Sequence, residues 1–409
     1  MIVHPAGRRT RVAGTSSIGN WNKLRFFPAW LMGDISKPPS QRFGIGVGHP
    51  PILHSPKEER LHALDSRALQ QDFLAYGPHA LPPELQNRTT VLDFRKDVWW
   101  EKAWRSMHLS SLAVKSQALR RAWALFRASS RYSVVVTTGT LDGLAFGFLQ
   151  KFRGRRRPFQ LMYDCMWYGG SWMKRLWMRA CLRQVDRCVV WASAEAARYS
   201  KAYNVPREKF VFVPHHHSLR NYTFEVGDKG YIFAGGNSDR DYGPFLESVR
   251  DLPVRCIVAT TLPGLLRGKS VPSNVQVVGA TPSEFRQLMA DSRIVVVPMQ
   301  ADLLRTGGQQ TFLNAMYMGK PVILTDPQGG ADYIEDGKTG ILVPPGDSDA
   351  LRGALAFLWN HPEEARVIGA RSREAATPLT TERCNIEIWG LGIELLRESS
   401  ALKSQAAVR

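Results

Sequence analysis

Short apolar runs alternating with helix-period stretches set the rhythm of this chain from about residue 89 onward. Residues 90–94 (TVLDF), 133–138 (SVVVTT), 159–163, 187–191 and 210–213 read as buried strands. Helical patterns lie between them: from about 97 to 129, from Gly139 through Leu149, over 171–185, and from Ala192-Ser193 onward. The same alternation resumes at 231–234, 254–259, 275–278, 294–297, 322–324 and 340–343. Helices are expected there at 241–251, 282–291, 348–359 and 362–373, with a last one near 384–397. Strands alternating with helices predict parallel sheets with helices on both faces. The first 85 residues are less regular. Residues 11–14 and 42–48 read as short strands, 22–32 as a helix interrupted at Pro28, and 54–85 as irregular.

The most informative stretch is 303–347, LLRTGGQQTFLNAMYMGKPVILTDPQGGADYIEDGKTGILVPPGD. A loop ends in Gly307-Gly308, and a helix follows with Phe312, Leu313, Ala315 and Met316 as its apolar residues. Gly319-Lys320 stops that helix and Pro321 leads into a buried strand. Gly329-Gly330 opens a short helical piece ending at Gly337, and Pro344–Asp347 leads into the next helix. Small residues before a helix let its first backbone N–H groups face a ligand, and the helix dipole adds positive potential there. Arg305 sits just upstream, and Gln309, Gln310 and Thr311 place hydrogen-bonding side chains on the first turn. The chemistry on offer is anion capture. Gly235-Gly236, residues 299–308 and residues 326–330 all fall at the carboxyl ends of predicted strands, where open α/β sheets bind ligands.

Composition sharpens this picture. The 409 residues suit two domains, and a hydrophobic fraction of 44% suffices for two cores. The net charge of +18 predicts an anionic partner: a nucleotide, a nucleic acid or an acidic membrane surface. Five cysteines without a CxxC pair fit reduced thiols in a cytosolic protein. No apolar run reaches the length of a membrane span, and the first residues, MIVHPAGRRTRVAG, lack the apolar core of a signal peptide. Nucleic-acid binding is disfavoured, because zinc-finger spacing, an RNP aromatic motif and a basic recognition helix are all missing from the sequence.

The C-terminal half resembles the nucleotide-sugar-binding domain of GT-B glycosyltransferases, especially retaining family 4. Residues 314–323 (NAMYMGKPVI), Gly329-Gly330 and residues 337–347 (GKTGILVPPGD) carry the resemblance. Residues 232–249 (IFAGGNSDRDYGPFLESV) are similar to the first strand, loop and helix of the family's donor domain. Residues 188–214 resemble the end of its acceptor domain, so the likeness spans roughly 186–375.

That resemblance implies two Rossmann-like domains with a cleft between them. The expected division is 1–215 on the acceptor side, 216–383 for the donor, and 384–409 as a helix crossing back. It implies transfer of a hexose-type sugar, with retained configuration and without bound metal, from a nucleoside-diphosphate sugar to a glycan or lipid-linked acceptor. The donor is a substrate, so no cofactor is implied. Gly235, Gly236, Arg240, Arg305, Gly307, Gly308, Gln309, Gln310, Thr311 and Asn314 are the expected donor contacts, with Arg240 standing where the family has a phosphate-binding lysine. Two positions depart from the family pattern, whose paired glutamates are replaced here by Thr306 and Asn314. An amide at Asn314 still forms hydrogen bonds but brings no charge. Those departures keep open a non-catalytic nucleotide-sugar-binding protein or a GT-B epimerase as alternatives.

Asp164, in YDCMWYGG at a strand end, is the candidate catalytic residue. An inverting reaction needs it as a general base, whereas a retaining one needs no dedicated base. The run His215-His216-His217 invites a metal reading, but consecutive imidazoles point in different directions; a substrate contact at the cleft is the alternative. Finally, residues 171–184 place Trp172, Met173, Leu176 and Trp177 among Lys174, Arg175, Arg179 and Arg183, beside the basic run KFRGRRR. Trp99, Trp100, Trp104, Trp123 and Trp167 add to the aromatic content of this half. Such a helix either packs its aromatic side on the sheet or rests in an anionic membrane interface. The whole basic face predicts a cytoplasmic protein attached peripherally to the inner membrane leaflet.

Overall fold

The structure is a computed structural model that describes residues 2–3, 89–90 and 110–408, except 140, 220, 221 and 327. The expectations at 11–14, 22–32, 42–48, 54–85, 91–94 and 97–109, with Trp99, Trp100 and Trp104, lie outside the described residues.

Two six-stranded sheets form the framework. The first contains β1 (Ile2–Val3), β2 (Thr89–Thr90), β3 (Val134–Thr138), β4 (Phe159–Tyr163), β5 (Arg187–Val190) and β6 (Phe210–Phe212), in the order β2-β1-β3-β4-β5-β6. From β3 to β6 the pairing is parallel. At the edge, β1 runs antiparallel to both β2 and β3, a departure from the all-parallel expectation of the kind common on large mixed sheets. Helices α1 (Ser110–Ala128), α2 (Leu141–Gln150), α3 (Trp172–Leu182) and α4 (Ser193–Tyr203) accompany this sheet.

The second sheet is wholly parallel: β7 (Tyr231–Gly235), β8 (Arg255–Ala259), β9 (Val275–Val278), β10 (Ile294–Val297), β11 (Val322–Thr325) and β12 (Ile341–Val343). Its order, β12-β11-β10-β7-β8-β9, is that of a doubly wound fold. Alternation along each strand builds a core on both faces. Tyr231 and Phe233 of β7 and Val295 and Val297 of β10 pack with Phe312, Leu313, Ala315 and Met316 of α7 (Gln309–Tyr317). Ile232, Ala234, Ile294 and Val296 pack with Phe245 and Leu246 of α5 (Tyr242–Ser248) and with Leu351, Leu355 and Leu358 of α8 (Ser348–Asn360). Burial of one such side chain stabilises by about 1.5–3 kcal/mol, which is why short apolar strands suffice here. Helices α6 (Pro282–Ala290) and α9 (Pro362–Ala376) complete this unit.

The chain passes between the sheets twice. The first passage follows β6 through His215–His217, where His217 N donates to Leu379 O at 3.0 Å. The second precedes α10 (Thr381–Val408), which lays Cys384, Ile388 and Trp389 against Val134, Val136 and Leu161 of the first sheet.

Candidate functional site

In the second sheet the strand order reverses between β7 and β10, and a doubly wound fold opens its binding crevice at that reversal. The loops leaving these two strands carry most of the residues expected to meet a ligand. Gly308 caps α7 with φ +86°, a left-handed conformation that glycine adopts without penalty. A Cβ there would lie 3.0 Å from both Met299 Sδ and Val297 Cγ1. The turn therefore brings α7 to the crevice, with its first N–H groups lacking intrahelical acceptors. Gln309 is only 6% exposed, and among the described residues its Nε2 is a buried donor with no partner.

Arg240 folds back into the loop after β7. Nε donates to Gly235 O at 3.0 Å, Nη1 to Ser238 O at 2.9 Å, and Nη2 to Thr311 Oγ1 at 2.9 Å. It thus ties the β7 loop to the first turn of α7. The Gly236 amide is already engaged within the sheet: Gly236 N donates to Ala259 O at 3.0 Å, continuing the β7–β8 ladder. What Gly236 provides is space, since a Cβ there would meet the Arg240 guanidinium at 2.6 Å. Gln310 Nε2 donates to Asn314 Oδ1 at 3.2 Å, and the same oxygen accepts from Ser218 N at 2.9 Å. Asn314 is therefore anchored to the segment linking the two sheets.

Arg305 leaves Gly307-Gly308 in the opposite direction, toward the first sheet. It pairs with Asp239, donates through Nη2 to Tyr168 Oη at 2.7 Å, and contacts Met166 Sδ at 3.0 Å through Nη1. Asp164 lies in the same region, at the end of β4, with φ +56°. Its Oδ1 accepts from Trp191 Nε1 at 3.1 Å. Burial pushes the Asp164 carboxyl above its usual range, while the Trp191 hydrogen bond and the Arg305 cation draw it back.

Several residues at the junction escape sequence reasoning. Glu195, on the first turn of α4, is buried, and its Oε1 accepts from Thr306 N at 2.5 Å. Its Oε2 accepts from Trp191 N at 2.8 Å and Ala192 N at 3.2 Å. Burial raises its pKa to about 7, against these hydrogen bonds and the Arg198 charge. Arg198, one turn on, reaches Leu303 O at 2.8 Å, Thr306 Oγ1 at 3.0 Å and Gln328 O at 2.8 Å. Ser193 N and Oγ both donate to the Asp332 carboxylate at 2.7 Å. Gly329 permits the close approach, because a Cβ there would lie 2.8 Å from Ala192 Cβ. In sequence Glu195 reads as an N3 helix-capping glutamate, a role it also fills through Ala192, so nothing announces its second contact.

The histidines correct the expectation that consecutive imidazoles point apart: His215 and His216 stack on each other at 4.7 Å, with His215 also edge-on to Trp191 and His216 Nδ1 3.0 Å from Thr381 Oγ1, while only His217 turns away, to stack on Tyr317 at 3.8 Å. Among the described residues no group of three or more His, Cys, Asp or Glu is arranged to hold a metal ion. On α3, Met178, Cys181 and Leu182 enter the core, whereas Trp172 is 68% and Leu176 58% exposed, with Met173 between them also exposed. No described helix is long and apolar enough to cross a membrane.

Residues 246–361 match the family described as Glycosyl transferases group 1. The D-rhamnosyltransferase WbpZ of Pseudomonas aeruginosa is 45% identical over 62 residues, 15% of this chain and 16% of that protein. The O-antigen chain mannosyltransferase C of Escherichia coli is 27% identical over 213 residues, 47% of this chain and 56% of the relative. The chain thus spans less than two thirds of the length of these curated relatives. Among solved structures, sucrose-phosphate synthase from Thermosynechococcus elongatus superposes with a TM-score of 0.55 at 17% identity, over 70% of this chain and 79% of that one. HepE of Anabaena in complex with UDP gives 0.52 at 14%, over 69% and 83%.

Proposed function

We propose that this chain, with its Glycosyl transferases group 1 domain in a GT-B framework, moves a sugar from a nucleoside-diphosphate sugar to a glycan or lipid-linked acceptor, in surface-polysaccharide or glycoconjugate synthesis. The observation that carries this reading is the placement, at the reversal of strand order, of the α7 N-terminus and the buried Gln309 amide. Breaking the bond from the anomeric carbon leaves its electron pair on the diphosphate, and these groups meet the growing negative charge. The positive potential of the helix end then does the work that a divalent cation does elsewhere. The acceptor hydroxyl forms the new bond. In the retaining route its proton passes to the departing phosphate oxygen; in the inverting route it passes to Asp164.

A second element concerns location. The exposed Trp172, Met173 and Leu176 stand beside Lys174 and Arg175 on α3, a combination suited to an anionic lipid surface. We place the protein at the inner membrane face, where a lipid-linked acceptor is met.

The test is a thermal-shift screen against UDP, GDP, ADP, CMP and TDP and their sugar conjugates, without and with divalent metal. A ligand bound only by the folded state raises the melting temperature. A shift with one nucleotide, reduced in Arg305→Ala, supports the reading. No shift with any of them overturns it.

A further inference from the structure

The donor crevice belongs to the second sheet, yet its Gly-rich loop is held largely by α4 of the first. The Glu195 carboxylate spans the junction, with Thr306 N 2.5 Å from Oε1 and Trp191 N 2.8 Å from Oε2. Arg198 ties together three points of two separate loops, Leu303 O, Thr306 Oγ1 and Gln328 O, all within 3.0 Å. Thr306 is the shared target: Glu195 takes its amide and Arg198 its hydroxyl. That residue immediately precedes Gly307-Gly308, so only two residues separate it from the start of α7.

We infer that Glu195 and Arg198 are positioning residues of the donor site: they set the Gly-rich loop from the opposite half of the molecule and keep the α7 N-terminus aimed at the leaving diphosphate. This rests on the proposed function for the identity of the ligand, but the contact itself does not. A carboxylate accepting a backbone N–H in a buried junction is a strong, directional hydrogen bond. Neither residue need touch the sugar donor, because both act through Thr306. The loop geometry is then available only while the halves are together, so donor affinity depends on their approach.

Two measurements on the full chain test this: hydrogen–deuterium exchange of the peptide spanning 304–310, and the affinities for UDP and GDP. Loss of one such hydrogen bond is expected to speed Thr306 exchange about tenfold in Glu195→Ala. In the same variant the preferred nucleotide should bind about tenfold more weakly, with a matching rise in donor KM. Arg198→Ala, at a half-buried site, should give both effects if Glu195→Ala fails to fold. Glu195→Gln keeps one acceptor oxygen for two sets of N–H groups and should fall between. Faster exchange confined to 191–195, with 304–310 unchanged, reduces Glu195 to a helix cap and overturns the inference. So does a loosened loop with unaltered nucleotide affinity. If none of the nucleotides in the thermal-shift screen binds the unmodified protein, the proposed function falls and the donor role falls with it, while exchange still decides the contact.

Discussion

Arg305 Nη2 donates to Tyr168 Oη at 2.7 Å, and the guanidinium carbon lies 4.7 Å from the centre of the same ring. One cation from the second half thus meets an aromatic residue of the first by hydrogen bond and by its face, while Asp239 balances its charge. A lysine reproduces the charge but neither the planar fork nor the stacking. Arg305→Lys is expected to lower sugar transfer at least about tenfold, the worth of a single charge-assisted contact. Steady-state kinetics with the preferred donor, alongside a melting curve, measures it.

Asp164 offers a test of the two proton routes. Asp164→Asn keeps an oxygen for Trp191 Nε1 and so preserves the local fold. If Asp164 is the base, the substitution removes activity by roughly two orders of magnitude or more. Its raised carboxyl then also places the acid limb of kcat/KM above the ordinary aspartate range, because the ionised form is the active one. In the retaining route both effects vanish and substantial activity survives.

At Gly308 the demand is conformational as well as spatial. Gly308→Ala places a Cβ at φ +86° and 3.0 Å from Val297 Cγ1. The expected cost is about 1–3 kcal/mol of stability, read as a lower denaturation midpoint with an unchanged slope.

His216 supplies a pH dependence with a definite sign. Burial and neighbouring His215 depress its pKa from 6.5 to about 3, against the attraction of Glu382. The folded protein holds this ring neutral, and the unfolded chain protonates it below 6.5. Its contribution is therefore present above that pH and lost as pH falls. Between pH 7.5 and 5 the loss amounts to about 2 kcal/mol. His216→Gln should flatten the stability profile by that amount, as seen in urea denaturation at the two pH values.

For the exposed helix α3, co-sedimentation with vesicles is the direct measurement. Binding is expected with anionic lipid and not with neutral lipid, and the double substitution Trp172→Glu and Leu176→Glu should abolish it without changing the melting temperature. Binding indifferent to anionic lipid, or unaffected by the substitutions, sinks the membrane assignment.

What sequence periodicity revealed and what it hid divide along a physical line. β4 and β10 fall where the apolar runs put them, because burial on both faces leaves each strand an almost wholly buried stretch. The Gly-rich loop and the start of α7 were legible for a similar reason, since a left-handed cap demands glycine. The Glu195–Thr306 contact joins positions 111 residues apart in the chain. No local pattern encodes such a pair, and the helix-capping role of Glu195 accounts for its residue type without it. The Gly236 amide illustrates the converse: the glycine was visible, but not whether the strand ladder had already engaged its N–H. For α3, periodicity could not choose which side met the sheet; Met178, Cys181 and Leu182 did.

The two passages of the chain between the sheets lie against each other, joined by His217 N to Leu379 O at 3.0 Å and by His216 to Thr381. A single tether is a ball joint, free to swivel in any direction. Two tethers fastened side by side act as the paired knuckles of a door, which turns about one pin. Any swing of one half against the other would be confined to one arc, along which Arg305 faces Tyr168 and Thr306 faces Glu195 in a single register. The register of the Arg305 and Thr306 contacts is thereby set at the pin, away from the crevice.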